Sequence, residues 1–328
     1  MPNLKTNYLG LNLKSPIIVG SSGLTNSVEK IKKLREAGVG AVVLKSLFEE
    51  QITQEVGRNM QTAMSSNYPE SYYYVEEYTK MSSVKAYLDL IREAKAAVDI
   101  PIIASINCYS TREWIYFAKQ IEDAGADALE LNLYVVNTDK NSNADDYEKI
   151  YYDVAEAIGK AISIPFAMKL GLYFSNLVAV VNKLSIVGTK GVVLFNRFYE
   201  PDIDIHTLQP TASEIFSMAA DIRRSLRWVA IVSDKVKNID VAASTGIHSG
   251  EAVVKQLLAG AKAVQVCSAV YKMGVPVISQ MLQEVHNWMN DKEFTTIEEF
   301  TGMMSYSKIE NPTHYERAQF MKYFSSLE

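Results

Sequence analysis

The sequence predicts an α/β protein built as a single (β/α)8 barrel, also called a TIM barrel, and three features support this prediction. Eight short apolar runs are spaced along the 328 residues, amphipathic segments with helical periodicity lie between them, and the long insertions all follow a run. The runs are continuously apolar, as expected of parallel strands that are covered on both faces. Eight strands connected by helices close a barrel, with the carboxyl ends of all strands at one rim.

The predicted elements alternate along the whole chain. The predicted strands span residues 16–22, 40–46, 101–107, 128–134, 165–173, 191–197, 239–247 and 263–270. The predicted helices span residues 27–38, 84–98, 111–125, 146–162, 176–188, 250–260 and 274–290, and a helical core pattern covers 214–232. A doubly wound sheet is the alternative, but it usually has fewer strands, and the Gly-x-Gly-x-x-Gly turn expected after its first strand is absent. We therefore predict one domain over residues 1–328, with 291–328 as a C-terminal extension.

Composition excludes several classes of protein. Hydrophobic residues make up 48% and charged residues 22% of the chain, which is an ordinary globular profile and excludes a disordered or fibrous protein. The net charge is 33 − 38 = −5, so we expect no nucleic-acid partner. No apolar run reaches the roughly 18 residues of a membrane span, and the N-terminus has no charged region followed by an apolar one, so we expect a cytoplasmic protein without a membrane span. Two cysteines, Cys108 and Cys267, are too few for a four-cysteine iron–sulfur cluster, and no metal-ligand spacing is present.

Three insertions follow predicted strands and therefore belong to the rim where barrel enzymes keep their active sites. They cover residues 47–83, 135–145 and 198–213. The first insertion has four tyrosines within residues 72–78. It is interpreted equally well as a lid or subunit contact and as a loop that packs on itself.

Two lysines are candidates for chemistry because of their position. Lys169 lies inside the apolar run of residues 165–173, where a buried lysine costs several kcal/mol unless it is paired or faces a polar cavity. Its functional interpretation is a cation that faces a bound anion or a developing negative charge, and its structural interpretation is a lysine that reaches solvent at the end of a strand. Lys45 ends the second predicted strand and allows the same two interpretations.

The last two predicted strands each lead through small residues into a helix, as phosphate-binding turns do. The segments are STGIHSGEAV, at 244–253, and CSAVYKMGVP, at 267–276. Backbone N–H groups at such helix ends bind phosphate, and barrels often build this site after strands seven and eight. Gly246 and Ser268 are the positions where a phosphate would approach closely. An ordinary capped turn is the alternative.

Taken together, these pieces resemble the flavin barrel of the dihydroorotate dehydrogenases and the related domain of dihydropyrimidine dehydrogenase. The resemblance runs from about residue 8 to residue 302. The segments that carry it are SPIIVGSSG, VVLKS, PIIASINCYSTREW, AGADALELNL, IPFAMKLGLYFSN, VVLFNR, STGIHSG and GAKAVQVCSAVYKMG. The resemblance implies FMN at the mouth of the barrel, a pyrimidine-like substrate such as dihydroorotate, and a homodimer.

The resemblance also implies roles for individual residues. Lys45, Asn132 and Lys169 would take part in catalysis, with Lys169 near N1 and O2 of the flavin. Asn132, Asn137 and Asn196 would hydrogen-bond the substrate. The implied cofactor-binding residues are Ser21, Ser22, Gly23, Lys45, Ser46, Asn132, Lys169, Asn196, Ser244, Thr245, Gly246, Cys267 and Ser268. The reaction would combine removal of a proton by a base with hydride transfer to flavin N5.

The chain departs from the family pattern at three positions. Val135 stands where the family has its catalytic cysteine or serine, and valine cannot accept a proton. Thr245 replaces a glycine of the phosphate turn, and Arg197 replaces a small hydroxyl residue. Tyr134, Tyr109 and Cys108 are the nearest candidates for a replacement base.

Three hypotheses follow. The first is an FMN-dependent oxidoreductase of pyrimidine biosynthesis that converts dihydroorotate to orotate. The second is a flavin-binding relative that has lost this activity or acts on another substrate, and Val135 is its basis. The third is a barrel lyase or aldolase with a Schiff-base lysine. The electron acceptor remains open among fumarate, NAD and a partner chain.

Overall fold

The structure, a computed structural model, describes residues 2–54, 71–108, 111–197, 200–212 and 214–316. Eight parallel strands in this part of the chain form the predicted (β/α)8 barrel. In chain order they are β3 (Ile17–Val19), β4 (Ala41–Val43), β6 (Ile102–Asn107), β7 (Ala128–Asn132), β8 (Phe166–Leu170), β9 (Gly191–Leu194), β12 (Asp240–Ser244) and β13 (Ala263–Val266). Each lies within the range predicted for it, so the prediction of the fold class is confirmed.

The barrel closes through parallel pairing all the way around. Each of these strands pairs with its neighbours in chain order, β13 pairs with β3, and β4 pairs with β6. A short strand, β5 (Leu47–Phe48), extends the pairing along β6. The carboxyl ends of the eight strands therefore share one rim.

Alternate side chains of the strands point into the barrel, as the period of two requires. The inner residues form a separate buried cluster that includes Ile18, Val43, Ile103 and Val193, together with small alanines. The intervening residues face the helices and belong to the larger buried cluster outside the barrel. On β7 the inner positions are Ala128, Glu130 and Asn132, so this strand becomes polar towards the rim.

The helices pack around the barrel. Those of the described segments are α1 (Val28–Glu36), α2 (Ser71–Ala97), α3 (Thr111–Asp123), α4 (Ala144–Ala161), α5 (Leu177–Ile186), α6 (Ile222–Lys235), α7 (Gly250–Ala259), α8 (Ser268–Met273), α9 (Pro276–Asp291) and α10 (Thr313–Glu316). Most agree with the prediction. The prediction was wrong for α2, which begins at Ser71 rather than at Val84, so that part of the insertion 47–83 is helical.

A hairpin that the sequence analysis missed precedes the first barrel strand. Strands β1 (Thr6–Tyr8) and β2 (Leu11–Leu13) are antiparallel, and both residues of their turn, Leu9 and Gly10, have positive φ. The Leu9 N–H donates to Asp240 Oδ2 at 2.7 Å. Because Tyr8, Leu9 and Leu13 join the inner cluster, the hairpin closes the end of the barrel opposite the rim.

Two further parts of the chain are the insertion 198–213 and the C-terminal extension. The insertion 198–213 contains an antiparallel hairpin of β10 (Pro201–Asp204) and β11 (Gln209–Ala212). Within the C-terminal extension, Phe300 is fully buried, and the Tyr306 N–H donates to the Ala230 carbonyl oxygen at 3.0 Å. This part of the extension therefore packs on the barrel helices.

Candidate active site

The carboxyl ends of the strands surround a cavity of about 390 Å³, which is within the range of small-molecule sites. Eight of the residues that the sequence analysis assigns to a cofactor line it: Ser21, Lys169, Asn196, Ser244, Thr245, Gly246, Cys267 and Ser268. They come from opposite sides of the barrel, so barrel closure brings them together. The structure thus gathers most of the candidate residues at one place.

A buried charged pair lies at the inner wall of this cavity. Lys169 on β8 is 7% exposed and Glu130 on β7 is 1% exposed, and the Lys169 Nζ lies 3.6 Å from Glu130 Oε1. Gln265 on β13 connects them, because Lys169 donates to its Oε1 at 2.8 Å and its Nε2 donates to Glu130 Oε2. Lys169 therefore points into the barrel. The alternative interpretation, a lysine that reaches solvent at a strand end, is wrong.

Hydroxyl groups connect the first three barrel strands at the rim. The Ser46 N–H donates to Ser21 Oγ at 2.8 Å, and the Ser46 hydroxyl lies 2.7 Å from the hydroxyl of Ser105. Tyr87 of α2 donates its hydroxyl to the Ser105 carbonyl oxygen at 3.0 Å. These bonds fix Ser21 in the cavity wall, with Ser46 directly behind it.

Two asparagines form a hydrogen-bonded pair. Asn196, directly after β9, donates from Nδ2 to Asn132 Oδ1 at 2.6 Å. Both side chains are partly buried, and Asn196 borders the cavity. Amide groups in such a position can donate to and accept from a planar polar ring.

The turn after β12 contains two consecutive residues with positive φ. Thr245 and Gly246 have φ values of +75° and +80°, in the left-handed region that favours glycine. The Thr245 hydroxyl donates to the Phe195 carbonyl oxygen at 3.2 Å. A Cβ at Gly246 would lie 2.1 Å from the Ile222 nitrogen at the start of α6. Thr245 thus adopts a conformation that favours glycine, although it is not a glycine.

Ser217 joins the two candidate phosphate turns, and the sequence analysis missed it. Its side chain is 3% exposed, and its hydroxyl accepts from the Gly246 N–H at 3.4 Å. Its own N–H donates to Ser268 Oγ at 3.0 Å, and Lys272 donates to its carbonyl oxygen at 3.0 Å. Ser217 lies in the segment 214–232, which was predicted as helical core, whereas α6 begins only at Ile222. Far along the chain from both turns, it left no local signal.

His248 completes this group of contacts. Its Nε2 lies 3.0 Å from the Ser217 hydroxyl. Burial and the neighbouring charge of Lys272 lower the pKa of His248 below its usual value. The imidazole is therefore neutral at pH 7 and able to exchange a hydrogen bond with Ser217.

The remaining cofactor candidates lie close to the cavity. Ser22 accepts from the Leu24 N–H at 3.3 Å and so caps a single 3-10 turn, Gly23–Thr25. A Cβ at Gly23 would lie 2.9 Å from the hydroxyl of Tyr271, so the backbone passes close to this ring. Burial raises the pKa of the Cys267 thiol, as expected of a packed cysteine rather than a reactive one.

Lys45 and Asn137 are not brought to the cavity. Lys45 is exposed and lines a separate depression of about 310 Å³ beside Tyr87. Asn137 is also exposed, and its Nδ2 donates to Ser142 Oγ at 2.8 Å. Their assigned roles stay predictions that follow from the family resemblance.

A second, wider chamber of about 1120 Å³ opens beside Asn196 and is largely apolar. Val135 is partly buried in its wall and packs against the outer core. Its aromatic lining residues are Phe48, Tyr134, Tyr147, Tyr173, Phe174 and Phe195. Of the proposed replacement bases, Tyr134 lines the chamber and burial raises its pKa, whereas Cys108 is buried elsewhere in the core. Tyr109 lies outside the described residues.

Arg197 fixes the segment that crosses the rim between the two cavities. Its guanidinium donates to Asp221 Oδ2 at 2.9 Å and to the carbonyl oxygens of Glu214 and Ile215. The departure from a small hydroxyl residue thus has a structural role. It attaches the end of β9 to the segment that carries Ser217.

The described segments offer neither a metal-binding cluster nor a membrane-spanning helix. They contain no group of three histidine, cysteine, aspartate or glutamate side chains that could hold a metal ion. No helix within them is long and apolar enough to cross a membrane.

Comparison with known proteins identifies the family. The family model of dihydroorotate dehydrogenase matches residues 3–289. A catalytic subunit of dihydroorotate dehydrogenase B (NAD(+)) from Methanocaldococcus jannaschii is 27% identical over 310 residues, which cover 92% of this chain and 97% of the relative. Proteins of the same name from Thermoplasma volcanium and Pyrococcus furiosus are each 26% identical over 318 residues, covering 92% of this chain and 99% and 98% of the relatives. The chain therefore belongs to the dihydroorotate dehydrogenase family of oxidoreductases.

Proposed function

We propose that the protein is an FMN-dependent oxidoreductase that converts dihydroorotate to orotate, a reaction of pyrimidine biosynthesis. Membership of the dihydroorotate dehydrogenase family implies a flavin cofactor. The observation that carries the proposal is the cavity at the barrel rim, where the buried Lys169 and the candidate phosphate turns meet. When bound, FMN supplies the hydride acceptor.

The residues around the cavity fit such a cofactor. The Lys169 ammonium can face the negative charge of a reduced flavin ring, and the Asn196 amide and Ser21 hydroxyl offer hydrogen bonds. At Gly246 and Gly23 an added Cβ would meet the Ile222 nitrogen at 2.1 Å and the Tyr271 hydroxyl at 2.9 Å, so close packing of the protein itself requires a small residue at both positions. The chemistry of the lining therefore agrees with a flavin whose phosphate lies near Gly246.

The side chains of this site would act by binding and orientation. Asn132 and Asn196 would hold the planar substrate through their amide groups, because their mutual hydrogen bond already fixes both planes. Lys169 would stabilise negative charge. Lys45 would contribute a second cation once its exposed side chain turns from its separate depression towards the cavity.

The proton that must leave the substrate has no evident acceptor at residue 135. A second candidate function is therefore oxidation of another substrate by the same flavin. The apolar, aromatic-lined chamber beside Val135 favours it, because this chamber is wider than the cavity that holds Lys169. The Schiff-base lyase hypothesis receives no support from the relatives, which are dehydrogenases by name.

An anaerobic visible spectrum of the FMN-reconstituted protein, before and after addition of dihydroorotate, tests the proposal. Bleaching of the oxidised flavin band is expected if the family reaction takes place without a base at Val135. A flavin band that persists would support the second candidate function and exclude dihydroorotate as substrate. Failure to bind FMN at all would refute the assignment of the cavity.

We further propose a cytoplasmic homodimer without a nucleic-acid partner. The hairpin of β10 and β11 supports dimerisation, because Ile203 and Leu208 are 68% and 78% exposed and isolated two-stranded hairpins are marginally stable in water. Analytical ultracentrifugation of wild-type protein and of Ile203→Ser tests this. We expect a dimer that the substitution weakens, and a monomeric wild type would contradict the proposal.

A further inference from the structure

Glu130 is a buried carboxylate for which the proposed reaction has no direct use. It lies on the inner face of β7, is 1% exposed, and accepts one hydrogen bond, from Gln265. Its other oxygen, Oε1, has no hydrogen-bond partner in the described part of the chain and lies 3.6 Å from the Lys169 Nζ. Burial of a carboxylate is costly even when it is paired, so its retention beside the cavity needs a reason.

Gln265 makes the arrangement of these charges rigid. An ammonium group can only donate and an ionised carboxylate can only accept, so the amide of Gln265 has one orientation that satisfies both neighbours. In this orientation the Lys169 ammonium donates to Gln265 Oε1, and Gln265 Nε2 donates to Glu130 Oε2. Three strands, β7, β8 and β13, contribute one residue each. The position of the Lys169 ammonium therefore depends on Glu130 through both a direct contact and a relay.

The charges of Glu130 and Lys169 act in opposite directions on their surroundings. Besides the larger effect of burial, Lys169 lowers and Glu130 raises the pKa of Cys267, which lines the cavity. Glu130 also adds to the effect of burial in raising the pKa of Tyr8 and of Tyr87. The negative charge of Glu130 therefore offsets part of the positive electrostatic potential that Lys169 exerts on a group in the cavity.

We propose that Glu130 is a positioning residue that holds the Lys169 ammonium at the cavity wall, offsets part of its charge, and thereby lowers the reduction potential of the flavin in this cavity. The inference rests on the proposed FMN-dependent function. Its physical basis is that a negative charge near the ring disfavours the anionic reduced flavin more than the neutral oxidised flavin.

The test is the flavin midpoint potential, measured by anaerobic equilibration with a reference dye. Glu130→Gln keeps the size of the side chain and removes its charge. We expect the ratio of reduced to oxidised flavin, at a fixed ambient potential, to be about tenfold higher in the variant than in wild type. This corresponds to a two-electron midpoint potential that is about 30 mV higher. Glu251→Gln is the matched control, because it removes a carboxylate that is 74% exposed and paired with Lys255 on α7. Its potential should equal that of wild type.

A second variant keeps the test informative if Glu130→Gln does not fold. Glu130→Asp retains the charge but withdraws it by one methylene, so we expect a smaller rise of the potential. A folded, flavin-loaded variant at residue 130 with the potential of wild type would overturn the inference while leaving the proposed function intact. A wild-type protein that binds no flavin would overturn the proposed function, and the inference with it.

Discussion

Replacing Gly246 by alanine tests whether the turn after β12 is as closely packed as the structure shows. The residue has a φ of +80°, and a Cβ there would lie 2.1 Å from the nitrogen of Ile222. Gly125 is the matched control, because its φ is +91° but nothing lies within 4 Å of an added Cβ. The two substitutions share the backbone strain and differ in the steric overlap.

The expected magnitudes follow from these distances. An L-residue in the left-handed region costs roughly 1–2 kcal/mol, which applies to both variants. At Gly246 the Ile222 nitrogen must also move from 2.1 Å to an ordinary contact of 3.4 Å or more, which displaces the start of α6. Overpacking of this kind costs about 1–3 kcal/mol. We therefore expect Gly246→Ala to lower the free energy of unfolding by about 2–5 kcal/mol, and Gly125→Ala by about 1–2 kcal/mol.

Urea unfolding followed by circular dichroism measures both free energies. A titration of FMN fluorescence then measures affinity in the folded variants. Because the displaced segment adjoins Ser217 and the candidate phosphate turn, we expect Gly246→Ala to weaken FMN binding and Gly125→Ala to leave it unchanged. Equal losses of stability in the two variants would show that the turn relaxes freely, and the reasoning from the overlap would be refuted.

Three further predictions concern the neighbouring residues. Val135→Cys should accelerate flavin reduction by dihydroorotate by about 10²–10⁴-fold in anaerobic stopped flow, because it supplies a general base, and an unchanged rate would exclude simple loss of that base. Ser217→Ala should lower the free energy of urea unfolding by about 1–3 kcal/mol, because it leaves the N–H of Gly246 buried without its acceptor, and a neutral result would contradict the bridging role. Burial and the charge of Lys272 lower the pKa of His248 in the folded protein below its usual 6.5. Between the lowered pKa and 6.5, the unfolded chain therefore binds more protons than the folded one. The free energy of unfolding accordingly falls as the pH falls below about 6.5. His248→Gln should therefore lose less stability than wild type between pH 7.5 and 5.5 in urea titrations, and identical losses would count against this assignment.

The barrel was predictable because its signal is repeated eight times. Each strand is a short apolar run between turn residues, and errors at the ends of individual runs do not alter the count. The hairpins at residues 6–13 and 201–212 were missed because their strands are short, and their turns lack the Asn-Gly or Asp-Gly pairs that mark such hairpins. The role of the first hairpin lies in tertiary packing, because it supplies Tyr8 and Leu9 to the barrel interior.

The candidate site was predictable where a residue violates the pattern of its own strand. Lys169 interrupts an apolar run, and such a violation has few explanations in a buried strand. Glu130 and Gln265 interrupt their runs in the same way, but their pairing with Lys169 depends on the register of three strands that only barrel closure fixes. Ser217 interrupts nothing and therefore left no signal. Lys45 ends the second predicted strand, and this position predicted that it would line the cavity. Its exposed side chain instead lies in a separate depression.

The distribution of these residues separates cofactor binding from substrate chemistry. The candidate cofactor contacts come mainly from β8, β12 and β13 and from the segment around Ser217, where hydrogen bonds join one element to the next. The departure at Val135 lies in the loop after β7, at the wall of the wider chamber. The residues that line both cavities are Asn196, Arg197, Glu200, Ser244 and Thr245. None of them belongs to the loop after β7, so we expect that a change in this loop can alter the substrate while the packing of the phosphate turns is kept. A valine at residue 135 is therefore compatible with an intact flavin site, and measurements of flavin binding and of dihydroorotate oxidation should vary independently among variants of this loop.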